Sequence, residues 1–85
     1  MNKMNFDVTV DMGIALARHV VDEAYRKPKV NVRLPRGATL RQLVDRLGIP
    51  GDYISFVTVN GEKKTWDEKL NPGDKVILFP YITGG

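Results

Sequence analysis

Residues 6–11, FDVTVD, alternate apolar and polar side chains without a break, and residues 29–34, KVNVRL, do the same before Pro35 and Gly37 close the run. A period of two sends successive side chains to opposite faces, so both segments are predicted as half-buried strands. Residues 39–48, TLRQLVDRLG, keep a different rhythm. Leu40, Leu43, Val44 and Leu47 fall at i, i+3, i+4 and i+7, which is one apolar stripe along a helix. Thr39 and Gln42 have the spacing of a capping box, Gly48 suits a left-handed helix end, and Pro50 blocks continuation. Residues 54–59, ISFVTV, read as a third strand, and Asn60-Gly61 is a strong two-residue hairpin signal that returns the chain over 62–65. A single turn over 67–70 and a tight Pro-Gly turn over 71–74 lead into a last strand at 75–79. Residues 12–26 are less regular. Ile14, Ala17, Val21 and Ala24 fit one to three helical turns ended by Lys27 and Pro28, and the same residues also fit a loop.

One helix with one apolar stripe must bury it on one face of a sheet, which gives a two-layer α+β domain. The last strand is expected at the centre, because Val76 and Leu78 both need burial. If these meet the helix together with Val57 and Val59, period two turns Phe56, Ile77 and Phe79 to the other face. An apolar cluster on an open sheet face is what partner docking requires, unless residues 12–26 cover it. Pro80 lacks an N–H and so helps release the last five residues from the sheet.

Composition narrows the chemistry. Eighty-five residues, 42% hydrophobic and 27% charged, make one ordinary globular domain. No apolar run approaches the ~18 residues of a membrane span, and residues 1–5 lead into no signal-type apolar core, so a cytoplasmic protein without a membrane partner is expected. The sequence has no cysteine, which excludes disulfides, thiolate metal sites and thiol catalysis. Its one histidine, His19, and one serine, Ser55, leave little from which to build a nucleophile–base pair, and an enzyme is not expected. His19 lies near Arg18, Asp22 and Glu23, too few ligands for a metal site, and is read as a surface residue. Trp66 is read as a core or rim side chain. The net charge of +3 is local in origin. Arg26, Lys27, Lys29, Arg33, Arg36, Arg41 and Arg46 share one stretch with Asp45 as its sole acid. No aromatic interleaves within it to stack on bases, so a solvated face or a contact for an acidic protein is expected rather than nucleic acid.

The sequence closes on Gly84-Gly85. Two glycines supply a slim segment whose backbone reaches angles closed to other residues, suited to threading a narrow active site and presenting a carboxylate. Residues 1–80 are accordingly expected to form the folded domain and residues 81–85 a flexible tail.

The series Val57-Thr58-Val59-Asn60-Gly61, then Leu70 to Val76 (LNPGDKV), then Phe79-Pro80 and Gly84-Gly85 resembles the β-grasp sulfur carriers. These include the small subunit of molybdopterin synthase (MoaD-like) and the thiamine-thiazole carrier (ThiS-like), relatives of ubiquitin. The approach to the helix, residues 34–39 (LPRGAT), is similar to the same families, and the likeness runs over about residues 29–85. It implies a ubiquitin-like β-grasp fold with a mixed sheet of four to five strands on one main helix at about 39–48, and an extra helical insertion at about 12–26. The resemblance further implies that Gly85 is the reacting residue, with Gly84 and Thr83 as its tail. An ATP-dependent activating enzyme would adenylate the Gly85 carboxylate. A sulfurtransferase would convert it to a thiocarboxylate, and a synthase large subunit or a thiazole synthase would consume the sulfur. ATP would be bound by the partner and no cofactor by this chain. Phe56, Ile77, Phe79 and Tyr81 would form the docking surface. The long 12–27 segment and Phe79-Pro80 favour the molybdopterin or tungstopterin type over the thiamine type. Two other readings stay open: a modifier conjugated to lysines through Gly85, and a β-grasp module that never reacts at its end. Tyr81 and Thr83 stand where ubiquitin has arginines, which speaks against the first.

Overall fold

A computed structural model describes residues 4–81 of the chain. Five strands form one mixed sheet: β1 (Asn5–Asp11), β2 (Lys29–Pro35), β3 (Ile54–Val59), β4 (Glu62–Lys64) and β5 (Lys75–Pro80), in the order β2-β1-β5-β3-β4. β5 is central, parallel to β1 and antiparallel to β3. This is the ubiquitin-like β-grasp arrangement, in which the last strand inserts between the two hairpins. Val76 and Leu78 of β5 are both buried, as the apolar pattern required.

The main helix, α2 (Leu40–Leu47), forms where its stripe predicted. Thr39 accepts from the Gln42 amide while the Gln42 side chain accepts from the Thr39 amide, so two otherwise unpaired N–H groups are satisfied. Leu40, Leu43 and Leu47 are fully buried against the sheet, each worth roughly 1.5–3 kcal/mol relative to exposure.

Residues 12–26 depart from the predicted stripe. Only α1 (Gly13–Ala17) is helical, and a 3-10 turn follows at Glu23–Tyr25. Met12, Leu16, Ala17 and Val20 enter the core, whereas Ile14 and Val21 are exposed at 74% and 71%, and Ala24 is exposed. The physical reason is the early end of α1. Beyond Arg18 the His19 and Val20 amides bond to the carbonyls of Leu16 and Ala17, a tighter turn that breaks the 3.6-residue phase. Arg26 then staples the loop, its guanidinium donating to the carbonyls of Val20 (2.9 Å) and Val21 (3.1 Å). The turn expected over 67–70 forms slightly earlier, at 65–68, where the Glu68 amide donates to the Thr65 carbonyl (3.1 Å). Lys69 then makes an antiparallel bridge to Thr39, which ties this segment to the start of α2.

The insertion packs on the helix side of the sheet, since its buried residues share one cluster with those of α2. Gly48 fixes that contact. Its φ is +78°, and a Cβ built there would stand 2.5 Å from Val21 Cγ2. Gly48→Ala is therefore expected to cost about 1–2 kcal/mol from the left-handed backbone, lowering Tm by roughly 4–16 °C. Adding Val21→Ala should restore only the part due to the clash, which thermal denaturation of the pair would show.

Two turns that look independent in sequence meet in space. The buried Asp74 carboxylate accepts from the Asn60 side-chain amide (2.9 Å) and the Asn71 amide (2.8 Å), and the Lys75 amide donates to Asn60 Oδ1 (2.9 Å). Asn60 (φ 53°) and Gly61 (φ 87°) both lie at positive φ, the requirement of the tight β3–β4 hairpin. The clasp thus holds that hairpin to the start of β5. No helix among the described residues is long and apolar enough to cross a membrane.

Candidate functional site

β5 carries the chain through the middle of the sheet and ends at Pro80, with Tyr81 exposed beyond. Thr83, Gly84 and Gly85, the expected tail and reacting residue, lie outside the described residues.

Phe56 on β3 and Phe79 on β5 are register partners across the antiparallel ladder, next to an irregularity between Ile54 and Phe56. Their rings stack nearly parallel, 4.3 Å between centroids at 8°, a contact worth ~0.5–1.5 kcal/mol beyond the area it buries. Ile77 pairs with Thr58 on one side and Asp11 on the other, two residues from Phe79 on the same face. All three apolar side chains are half-buried. Because the 12–26 insertion lies on the opposite side with α2, it leaves this face uncovered.

Lys63 completes the patch, and sequence reasoning missed it. Its ammonium stands 5.3 Å from the Phe56 ring centroid, within reach of the ring's negative face. The signal was available: a two-residue turn at Asn60-Gly61 forces Thr58 opposite Lys63, hence onto the outward face beside Phe56. Lys75 and Lys29 lie farther along the same face, around a depression of about 250 Å³ shared with Thr9, Asp11 and Ile77. The open face is therefore an apolar centre flanked by Lys63, Lys75 and Lys29, with Asp11 among them.

Tyr81 does not join the ring stack. It lines a separate depression with Ala15, Leu16, His19, Tyr53 and Pro80. There His19 packs against Tyr53 at 4.5 Å between ring centroids. Trp66 packs partly buried against the core, and Ser55 is an exposed residue of β3. Among the described residues no cluster of three metal-binding side chains occurs. Within the basic stretch Arg33 meets Asp7 (3.2 Å) and Arg41 meets Asp67 (3.1 Å), both as exposed pairs. Arg46 donates to the Tyr25 hydroxyl (3.4 Å).

The sequence matches the family model described as Mut7-C ubiquitin over residues 7–84. The chain belongs to the Mut7-C ubiquitin family. No curated protein matches it. Among solved structures it is similar to SAMP1 from Haloferax volcanii, at 24% identity and TM-score 0.67, over 93% of this chain and 99% of that one. A Pyrococcus furiosus protein described as a putative molybdopterin converting factor, subunit 1, is similar at 25% identity and TM-score 0.64, over 91% and 99%. The HVO 2177 protein of Haloferax volcanii reaches TM-score 0.70 at 20% identity, over 100% and 92%. The Mut7-C ubiquitin match and these neighbours accord with the likeness to β-grasp sulfur carriers read from the chain's own residues.

Proposed function

We propose that this Mut7-C ubiquitin chain is a protein co-substrate that carries sulfur on its C-terminal carbonyl carbon. The observation that supports it most is the path of β5, which delivers the chain from the centre of a compact sheet beside an uncovered apolar face. A body gripped at Phe56, Ile77 and Phe79 would hold residues 81–85 out toward a partner's catalytic centre. The likeness to the Pyrococcus protein, described as a molybdopterin converting factor subunit, favours the molybdopterin or tungstopterin type over the thiamine type.

The chemistry assigned to Gly85 derives from its carboxylate. A carboxylate is a poor electrophile, so one of its oxygens first attacks the α-phosphorus of ATP and pyrophosphate leaves. Sulfur from the persulfide of a sulfurtransferase then attacks the acyl carbon and AMP departs with the bonding pair. Cleavage of the resulting sulfur–sulfur bond by a thiol leaves the thiocarboxylate, which a synthase large subunit consumes. The persulfide, the ATP site and the reducing thiol belong to the partners, this chain contributes the Gly85 carboxylate, and it acts without a bound cofactor. Gly84 and Thr83 serve as the narrow approach to the reacting carbon.

Intact-mass analysis of protein isolated from its own cells tests the proposal. The expected species has one terminal oxygen replaced by sulfur, and hydrolysis should return it to the carboxylate. Lysine-linked adducts through Gly85, with no thiocarboxylate, would instead establish a protein modifier. An unmodified end under all growth conditions would leave only a β-grasp interaction module.

A further inference from the structure

A second surface lies along the outer edge of β2, which among the described residues pairs with β1 alone. The Met12 amide donates to the Pro28 carbonyl and the Arg36 amide to the Met4 carbonyl, and these bonds bracket the β1–β2 ladder. Bonded and non-bonded pairs alternate along an antiparallel ladder. In this register Val30, Val32 and Leu34 therefore turn their backbone groups to β1, whereas Lys29, Asn31 and Arg33 turn theirs outward. Pro35 ends the row of outward donors. The edge thus keeps a window over residues 29–33 that can take an added strand of about five residues.

Charge argues for the occupant of that window. The side chains of Lys29, Asn31 and Arg33 are exposed on the open-face side of the edge. On the helix side a depression of about 430 Å³ runs between β2 and α2, lined by Leu34, Pro35, Gln42, Asp45 and Arg46. Asp7 and Asp11 of β1 stand opposite Arg33 and Lys29 in register. The Arg33–Asp7 pair is well exposed, hence weak and exchangeable, and an added strand would flank the two cations on their other side. A second copy pairing antiparallel about Asn31 would set each Lys29 against the other copy's Arg33, and like charges directly opposite destabilise a sheet. The same cations attract a strand of opposite sign.

We propose that the β2 edge receives an extended acidic segment of a partner protein as an added strand. Its alternate side chains are carboxylates beside Lys29 and Arg33, and apolar groups over the β2–α2 depression beside Leu34, where Asp45 and Arg46 together present no net charge. The edge shares Lys29 with the margin of the open face but does not include the Phe56–Phe79 ring stack, and the proposal stands or falls independently of the sulfur-carrier reading.

Residue-resolved NMR of the full-length chain tests this with a short peptide alternating valine and glutamate, against one of the same composition with the glutamates grouped at one end. The alternating peptide should move the amides of Asn31 and Arg33 and those of residues 42–46, and should bind more tightly than the grouped one. Lys29→Glu, an exposed change that leaves the fold intact, should weaken binding about tenfold. Asn31→Pro removes an outward donor and leaves the backbone bonds to β1, giving up only the exposed contact in which the Thr9 hydroxyl donates to Asn31 Oδ1 (3.1 Å), and should weaken binding about tenfold or more. The proposal is overturned by shifts confined to Phe56, Ile77 and Phe79, by equal binding of the two peptides, or by no binding. Edge shifts that depend on protein concentration alone would assign the edge to a second copy, and stronger shifts with a single-stranded oligonucleotide would assign it to nucleic acid. Either result also overturns the proposal.

Discussion

A chain extended by a few residues past Gly85 is expected to lose ATP-dependent adenylation by its activating enzyme while melting at the same temperature as the unextended protein. Extension converts the Gly85 carboxylate into an amide, whose oxygen carries no full negative charge with which to attack the α-phosphorus. The new terminal carboxylate would sit several ångströms from the position the enzyme expects, and a misplacement of about 1 Å already costs on the order of a hundredfold in rate. A loss of at least about that size is therefore expected. The fold should be indifferent, because among the described residues the last strand ends at Pro80 and every buried core residue precedes it. Pyrophosphate exchange driven by the activating enzyme measures the first half and thermal denaturation the second. An unchanged exchange rate in the extended chain would sink the carrier reading.

Phe79→Glu should separate docking from folding. The Phe79 ring lies on the uncovered face, stacked on Phe56, with Lys63 over the far member of the pair. Aromatic anchors at the centre of an interface commonly contribute about 2–4 kcal/mol, so binding to the synthase large subunit is expected to weaken by roughly thirty- to several-hundredfold. A carboxylate at this position would also have to be desolvated as the partner closes. Stability should fall by only about 1–3 kcal/mol, the ring pair's contribution plus part of the burial of a half-buried phenylalanine. Titration calorimetry against the synthase subunit, paired with denaturant unfolding, gives both numbers. Equal affinity in the variant and parent chains would show that the partner grips another surface, without bearing on the chemistry of Gly85.

The parts of the fold legible in the sequence are those where local signals agreed with one another. The stripe, capping box and terminal glycine of α2 converge on the same ten residues, and the structure matches them closely. Strict alternation made β1 and β2 equally plain. Residues 12–26 were not legible because their spacing fits a helix only if the helix continues. Its end is set by tertiary contacts: the Val21 amide bonds to the Leu47 carbonyl and Arg26 binds two loop carbonyls, contacts no local window contains. For the candidate site, the outward placement of Phe56, Ile77 and Phe79 came from period two alone. Their stacking depended on the irregularity near Ile54, which the sequence does not announce. Tyr81 joined these residues only in the expected docking surface, and since β5 ends one residue before it, strand alternation does not place it on their face. The clasp between Asn60 and Asp74 explains why two weak turn motifs carried so much of the resemblance: they are halves of one contact.

The position of β5 has a consequence for synthesis. Among the described strands, the β2–β1 pair and the β3–β4 pair are joined only through β5, and two-stranded ribbons are at best marginal in water. A nascent chain that has emerged only as far as the Asn71–Asp74 turn consists of two such ribbons and a helix with half a floor. The sheet can close only when residues 75–80 clear the ribosome, so a message cut short upstream of them would yield a polypeptide left to proteases, never a folded body with a missing end.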